Sequence, residues 1–370
     1  MTVLLEEAVN SYTKNYMAGY KALGRELDAN ALRNHFYRFP GVDNSTDKTL
    51  SAMLRMAVIA QTQEAFEKAP AETDEQRAAK AAQEGLVKQL FVELKRDFKP
   101  SDLPPYTLVK LGMHLANTSQ PEESIAYFDE ILDPSEPNPV RKQARINGMS
   151  KYRKNAVFGK AVALGRSKDN AKVDTAIKMM RDELSKEESS SNPDRKAMED
   201  AQYNLVKFTA ARQDWPAVIA AAEKYRADKS YKKNLPEVLF LQGQAYLKQN
   251  EPDKALVCFM NITGADYKGL VKWSAPAMLA QMDTLWNRNK MSQGTGKQPS
   301  DRYVAWRTGS QYVQLLDTPA NRKRMTAEDS DLLNQVKDKV SRFGSDPAVS
   351  QERSDIAAYE AAIRSARGQK

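Results

Sequence analysis

The 370-residue sequence predicts an all-α protein in which antiparallel helix pairs follow one another along the chain. Three observations predict this fold class. Residues that favour helices, chiefly Ala, Leu, Lys, Glu and Gln, fill long stretches without β-branched runs. Apolar residues in these stretches recur every three or four positions, and no segment shows the alternation that is typical of strands. The connections are short and polar, and short connections make neighbouring helices antiparallel.

The first helix is marked by one apolar stripe. Its members step by fours and threes: Leu5, Val9, Tyr12, Tyr16, Tyr20, Leu23 and Leu27. We expect this helix to end near Asp28, and we interpret its tyrosines as core residues. The aromatic segment HFYRFPG, at residues 35–41, is predicted to be a loop that caps the helical stack, with a partner-binding loop as the alternative. A second helix is expected to begin after Thr46 or Asp47.

The third helix has a chemically defined start. Thr73 and Gln76 have the spacing of a capping box, in which each side chain bonds to the other residue's backbone N–H. The apolar stripe then extends from Ala82 to Phe98. A continuous helix here would contain about 27 residues and be roughly 40 Å long at 1.5 Å per residue.

Polar and proline-rich segments divide the rest of the chain into helices. The clearest breaks are DPSEPNP at 133–139, KEESSSNP at 186–193 and NKMSQGTGKQPSD at 289–301. The predicted helices span 104–117, 121–132, 139–165, 169–187, 194–211, 215–228, 235–249, 252–263, 267–289, 300–317, 326–342 and 347–367.

The most regular helix pair lies at residues 235–262. Gly243 and Tyr246 lie on one face of its first helix, and Ala255 and Phe259 lie on one face of its second. Because Gly243 and Ala255 are small, we predict that they face each other where the two helices approach closely, with the aromatic side chains filling the space around them. Close packing would offset the roughly 1 kcal/mol that a glycine costs inside a helix.

The same register occurs earlier in the chain. At 104–132, Gly112 and Phe128 take the corresponding places, and a weaker copy lies at 194–228. This pattern resembles the tetratricopeptide repeat, a helix–turn–helix unit of about 34 residues. The resemblance implies a right-handed α-solenoid of antiparallel helix pairs with an N-terminal helical cap region. The long first helices and the segment DYKGLVKWSAPAMLAQMDTLW look similar to irregular tetratricopeptide proteins of bacterial envelopes.

The predicted organisation has three regions. They are a long-helix region at 1–100, tetratricopeptide-like repeats at 101–345 and a capping helix at 346–370. The first residues lack the basic start and the apolar run of a secretory signal. We therefore expect either a cytoplasmic protein or the mature form of a periplasmic, envelope-associated protein from which a signal peptide has been removed.

The charge is a modest basic surplus on a mixed surface. The sequence has 56 basic and 48 acidic residues, a net charge of +8. The densest basic runs, at 151–154 and 322–324, are short, and no glycine-aromatic RNA-binding motif accompanies them. We therefore expect no specific nucleic-acid binding. A nucleic-acid or anionic-surface binder that uses the basic surplus is the alternative function.

The sequence contains no recognisable catalytic or metal-binding motif. His35 and His114 have no second ligand at metal-binding spacing, and no nucleophile elbow is present. SQGTGK at 292–297 lacks the first glycine and the final Ser or Thr of a phosphate loop. The single cysteine, Cys258, is interpreted as a buried small apolar residue. We expect no enzymatic activity, no metal, no cofactor and no transmembrane segment.

The resemblance implies where a partner would bind. In a tetratricopeptide stack the first helices of the pairs line a concave groove that holds a peptide or an extended segment. The groove-facing candidates are Tyr203, Lys207, Phe240, Gln244 and Lys248, with Val109 and Met113 as their counterparts in the earlier unit. Phe240 is either covered by the neighbouring unit or exposed to anchor a partner, and Lys207 and Lys248 favour an acidic segment. We predict a non-enzymatic scaffold that binds a protein or peptide partner in this groove.

Overall fold

The computed structural model describes residues 2–22, 48–68, 73–118, 120–264, 271–294 and 298–368. Across these residues it contains helices and no strand, so the predicted all-α fold class is confirmed. The α-helices are α1 (Thr2–Ala22), α2 (Lys48–Lys68), α3 (Asp74–Asp97), α4 (Pro105–Asn117), α5 (Pro121–Leu132), α6 (Pro139–Gly148), α7 (Arg153–Gly165), α8 (Asn170–Glu188), α9 (Arg195–Ala211), α10 (Trp215–Ala227), α11 (Leu235–Lys248), α12 (Pro252–Thr263), α13 (Val271–Arg288), α14 (Asp301–Leu316), α15 (Pro319–Arg322), α16 (Ala327–Gly344) and α17 (Pro347–Gly368). The predicted loop at 35–41 and the predicted end of the first helix lie outside the described residues.

The predicted helix bounds agree closely with the structure. α5 and α12 begin and end where the sequence places them. The capping box of α3 is present, since Gln76 N–H donates to Thr73 Oγ1 at 3.2 Å and Thr73 N–H donates to Gln76 Oε1 at 3.1 Å. α3 ends at Asp97, one residue before Phe98, because Phe98 has an extended backbone.

The prediction of a single helix at 139–165 is wrong. The structure divides it into α6 and α7, which are separated by a short 3₁₀ turn at Ser150–Tyr152. Met149 leaves the α-helical conformation, with φ −99° and ψ 2°, directly after Gly148, a residue of low helix propensity. Met149 is buried in the core, whereas α6 buries none of its residues. The break therefore lets the chain bury Met149 while α6 stays at the surface.

The helices pack against their neighbours in sequence order. The chain divides into two compact units, which we call unit 1 (Met1–Met180) and unit 2 (Arg181–Lys370). In unit 1, α4 packs against α5, and α5 packs against α7. In unit 2, each helix from α9 to α14 packs against the next, and α9, α11 and α13 also contact one another in turn. This sequential packing is consistent with an α-solenoid.

Gly243 lies at a tight helix–helix contact, but its neighbour differs from the predicted one. A Cβ atom at Gly243 would lie 2.5 Å from Cε1 and 2.8 Å from Cζ of Phe259, so the ring of Phe259, rather than Ala255, faces the glycine. Ala255 and Phe259 are both fully buried. Because a phenylalanine reaches further than an alanine, it fills the gap that the missing side chain leaves between α11 and α12.

A second contact of this kind occurs in unit 1. A Cβ atom at Gly112 of α4 would lie 2.8 Å from Cε1 of Phe128, and a Cβ atom at Gly159 of α7 would be closer still to the same ring. Phe128 is fully buried on α5. One aromatic ring therefore fills the space left by two glycines on two different helices.

The Gly243→Leu substitution is expected to destabilise unit 2 by roughly 1–3 kcal/mol, because the added side chain would overlap the Phe259 ring. Thermal and urea unfolding followed by circular dichroism would measure the change. Gly85→Leu is the matched control, since Gly85 is exposed within α3 and a Cβ there meets no atom within 4 Å. An unchanged unfolding curve for Gly243→Leu would contradict this contact.

A buried ion pair joins α13 to α14 in unit 2. Arg288, at the end of α13, donates to Asp301, at the start of α14, through Nε to Oδ2 at 2.7 Å and Nη2 to Oδ1 at 2.6 Å. Lys290 N–H donates to Asp301 Oδ2 at 2.9 Å, and Arg288 Nη1 also contacts Asp253 of α12. Asp301 is buried, and its neighbours satisfy both of its carboxylate oxygens. This pair fixes where the α13–α14 connection begins and ends.

Candidate functional site

The first helices of unit 2 form a continuous surface. α9, α11 and α13 begin the pairs α9–α10, α11–α12 and α13–α14, and they contact one another in turn. We use the name first-helix face for a set of half-buried and exposed residues on these three helices. It is defined by Tyr203, Lys207, Glu237, Phe240, Gln244, Lys248 and Trp273. Five of these seven residues, Tyr203, Lys207, Phe240, Gln244 and Lys248, are the predicted partner-binding residues.

A polar cluster joins α9 to α11 on this face. The Tyr203 hydroxyl donates to Glu237 Oε2 at 2.6 Å. Lys207 Nζ lies 3.6 Å from Glu237 Oε1 and 5.2 Å from the centre of the Tyr203 ring. Tyr203 and Lys207 are half-buried, and the side chain of Glu237 is 20 % exposed. Two donors from α9 therefore converge on one carboxylate from α11, a residue that the sequence did not single out.

Phe240 lies beside an aromatic neighbour on the next first helix. Its ring centre is 6.0 Å from that of Phe259 and 6.5 Å from that of Trp273 on α13. Phe240 is half-buried and packs at the edge of the core formed by α11 and α12. The neighbouring helix pair thus covers part of the ring, and the rest remains at the surface.

Gln244 and Lys248 are the most accessible of the predicted residues. Both are exposed on α11, about one and two turns beyond Phe240. Within the described part of the chain, neither side chain has a hydrogen bond or an ion pair. They therefore offer an amide and an ammonium group to solvent on this face.

The counterpart residues in unit 1 differ in accessibility. Val109 is buried and Met113 is half-buried against the core of unit 1. α2 and α3 both contact α4, the helix that carries these two residues. The predicted role of Val109 at a groove surface is therefore wrong, because the N-terminal helices pack around α4.

The sequence did not predict a cavity of about 730 Å³ in unit 2. It lies between the segment that follows α13 and the C-terminal helix α17. Apolar lining comes from Met291, Pro299, Ile356 and Tyr359, and Arg307 is among the polar residues that line it. Ile356 follows the buried Val349 by seven positions, a helical spacing visible in the sequence, but this spacing does not predict a cavity.

Acidic residues on neighbouring helices pair with part of the basic surplus. Lys142 Nζ of α6 lies 2.6 Å from Asp133, and Arg145 Nη2 lies 3.1 Å from Glu130 at the end of α5. Lys160 of α7 lies 2.6 Å from Asp129. These pairs hold α6 and α7 against the acidic helix α5, so part of the basic charge has a structural role.

Burial is the largest cause of the pKa shifts of Cys258, His114 and Asp200. Burial raises the pKa of Cys258 to about 11, so its thiol stays protonated and unreactive at neutral pH. Burial, with a smaller contribution from Lys88, lowers the pKa of His114, which stacks on Phe91 with ring centres 4.0 Å apart. Burial also raises the pKa of Asp200, one turn before Tyr203 on α9.

The described ranges contain no group of three or more His, Cys, Asp or Glu side chains that could hold a metal ion. No helix in the same ranges is both long enough and apolar enough to cross a bilayer.

No protein-family model matches this chain, and no curated protein sequence matches it.

Proposed function

We propose that this protein is a non-enzymatic scaffold that binds an extended segment of a protein partner on the first-helix face of unit 2. The architecture we propose for the surface is tetratricopeptide-like, with the first helices of successive pairs lining the binding groove. The observation that carries the proposal is the composition of this face. Three first helices in contact present half-buried aromatic side chains beside side chains that have no partner in the described residues.

The two kinds of side chain would contribute differently to binding. Tyr203 and Phe240 supply rigid aromatic surface, which loses little conformational entropy when a ligand covers it. Gln244 and Lys248 supply hydrogen-bond donors that would fix the orientation of the bound segment. A segment that lies along α11 would contact both kinds of side chain.

The test is selection from a displayed library of random linear peptides on the immobilised protein, followed by affinity measurement of the enriched peptides. We expect the double substitution Gln244→Ala/Lys248→Glu to weaken binding by about five- to tenfold, since it removes two donors and reverses one charge. Both side chains are exposed, so the melting temperature should not change. Substitution of Gln244 and Lys248 therefore tests binding without a loss of stability. Substitution of Phe240 would affect both, because its ring contacts the core.

Lys224→Glu is the matched control. Lys224 is exposed on α10, a second helix, and the substitution makes the same change of charge away from the first-helix face. An equal loss of affinity in both variants would indicate a general charge effect. Peptides that bind both variants as well as the unsubstituted protein would contradict the proposed location.

A further inference from the structure

Tyr203 and Lys207 form a pair of donors suited to a carboxylate. The Tyr203 hydroxyl and the Lys207 ammonium approach different oxygens of Glu237, at 2.6 Å and 3.6 Å. An ionised carboxylate has two oxygens that accept hydrogen bonds, and charge-assisted bonds of this kind are stronger than neutral ones. This part of the first-helix face therefore already holds one carboxylate, which belongs to the protein itself.

We propose that Glu237 occupies the place of a carboxylate from an acidic peptide, and that such a peptide binds by displacing it. This inference rests on the proposed function, because it specifies the chemistry of the segment that the first-helix face receives. Glu237 then sets the affinity, since an incoming Asp or Glu must compete with a carboxylate that is permanently close by.

The Tyr203–Glu237 hydrogen bond can be compared with two other Tyr–Glu hydrogen bonds in unit 2. Tyr225 donates to Glu199 at 2.6 Å, but Tyr225 is fully buried and Glu199 also accepts the backbone N–H of Lys233 at 3.2 Å. That bond fixes the connection that precedes α11. Tyr246 is likewise buried where it donates to a glutamate of α10 at 3.2 Å. Both of these tyrosines are buried residues, whereas Tyr203 is half-buried.

In the polar cluster of Tyr203, Lys207 and Glu237, the lysine is accessible and its contact with the glutamate is weak. The side chain of Lys207 is 38 % exposed, and its 3.6 Å separation from Glu237 is longer than a hydrogen bond. A lysine ammonium has three donors on a flexible stem, so Lys207 can turn toward a second carboxylate without moving α9. Exposed Lys248 adds positive charge further along α11. Both cations favour an acidic ligand.

The test compares two baits against the same displayed peptide library: the unsubstituted protein and the Glu237→Gln variant. The glutamine oxygen can still accept the Tyr203 hydrogen bond, while the charge that competes with the ligand is gone. We expect the variant to enrich peptides richer in Asp and Glu, and to bind a given acidic peptide about three- to tenfold more tightly. The gain should diminish at high salt.

Glu223→Gln is the matched control. It removes the same charge from the Tyr246–Glu223 bond on α10, away from the first-helix face, and should leave peptide affinity unchanged. A lower melting temperature for Glu237→Gln, with unchanged or weaker affinity for acidic peptides, would overturn the inference and make Glu237 a brace between α9 and α11. If neither bait enriches a peptide that Gln244→Ala/Lys248→Glu releases, the proposed function fails as well.

Discussion

Replacing Arg288 with alanine is expected to destabilise unit 2 by about 3–5 kcal/mol. The reason is that Asp301 is buried and takes two hydrogen bonds from the Arg288 guanidinium. Without them the carboxylate stays in a poorly solvated place with one remaining bond, from the backbone of Lys290. Urea unfolding followed by circular dichroism, together with hydrogen exchange in α13 and α14, would measure the loss.

Two further variants isolate the buried charge as the cause. Arg288→Met/Asp301→Leu removes both charges and should recover most of the lost stability, because no unpaired ion remains in the interior. Lys254→Ala removes the lysine from an exposed pair with Glu251 and should leave the unfolding midpoint unchanged. If the double variant is as unstable as Arg288→Ala, packing of the arginine stem, rather than its charge, stabilises this connection.

The same pair predicts the direction of the pH dependence. Burial opposes ionisation of Asp301, but the bonds from Arg288 and from the Lys290 backbone outweigh it, so its pKa lies below the ordinary value. A group with a lowered folded-state pKa stabilises the protein above its unfolded-state pKa, near 3.9 for aspartate. That contribution disappears as the pH falls through the lower folded-state pKa. The stability difference between the protein and Arg288→Ala should therefore narrow in acid.

Phe128→Ala is expected to cost about 3–5 kcal/mol in unit 1. The ring is fully buried and fills the space left by Gly112 on α4 and Gly159 on α7, so truncation opens a cavity where three helices meet. Neither glycine has a side chain that could refill that space. The measurement is denaturant unfolding, with hydrogen exchange in α4, α5 and α7 as the local readout.

A double-mutant cycle tests the glycine–aromatic contact directly. Gly159→Ala should destabilise the unsubstituted protein, since the new Cβ atom would overlap the Phe128 ring. In the Phe128→Ala background the same substitution should be neutral or stabilise by about 0.5–1 kcal/mol, because alanine is the better helix former. Additive effects in the cycle would mean that the two residues do not share this contact.

The helices could be predicted from the sequence because their signals are local. The capping box at Thr73, the prolines at helix starts and the polar breaks all act within a few residues. The packing partner of Gly243 was harder to predict. Spacing places Ala255 and Phe259 on the same face of α12, and the distance between the two helix axes decides which of them reaches the glycine.

The candidate site was predictable only in part, because it also depends on how the helices pack. The resemblance indicated Tyr203, Lys207, Phe240, Gln244 and Lys248, but not Glu237, which completes the polar cluster. A glutamate in the first turn of a helix is usually explained by the helix dipole, so its sequence position gave no sign of a second role. A contact between two helices more than twenty residues apart depends on how successive pairs stack.

The sequential packing of the helices has a consequence for how each unit forms. In unit 2 the helices from α9 to α12 pack against the next one or two helices along the chain. Contacts between segments close in sequence cost little loop-closure entropy, and proteins rich in them fold fast. A helix pair can therefore be stabilised as soon as its successor emerges from the ribosome. Assembly can proceed from the amino-terminal end during synthesis, which shortens the time that apolar helix faces spend exposed to other chains.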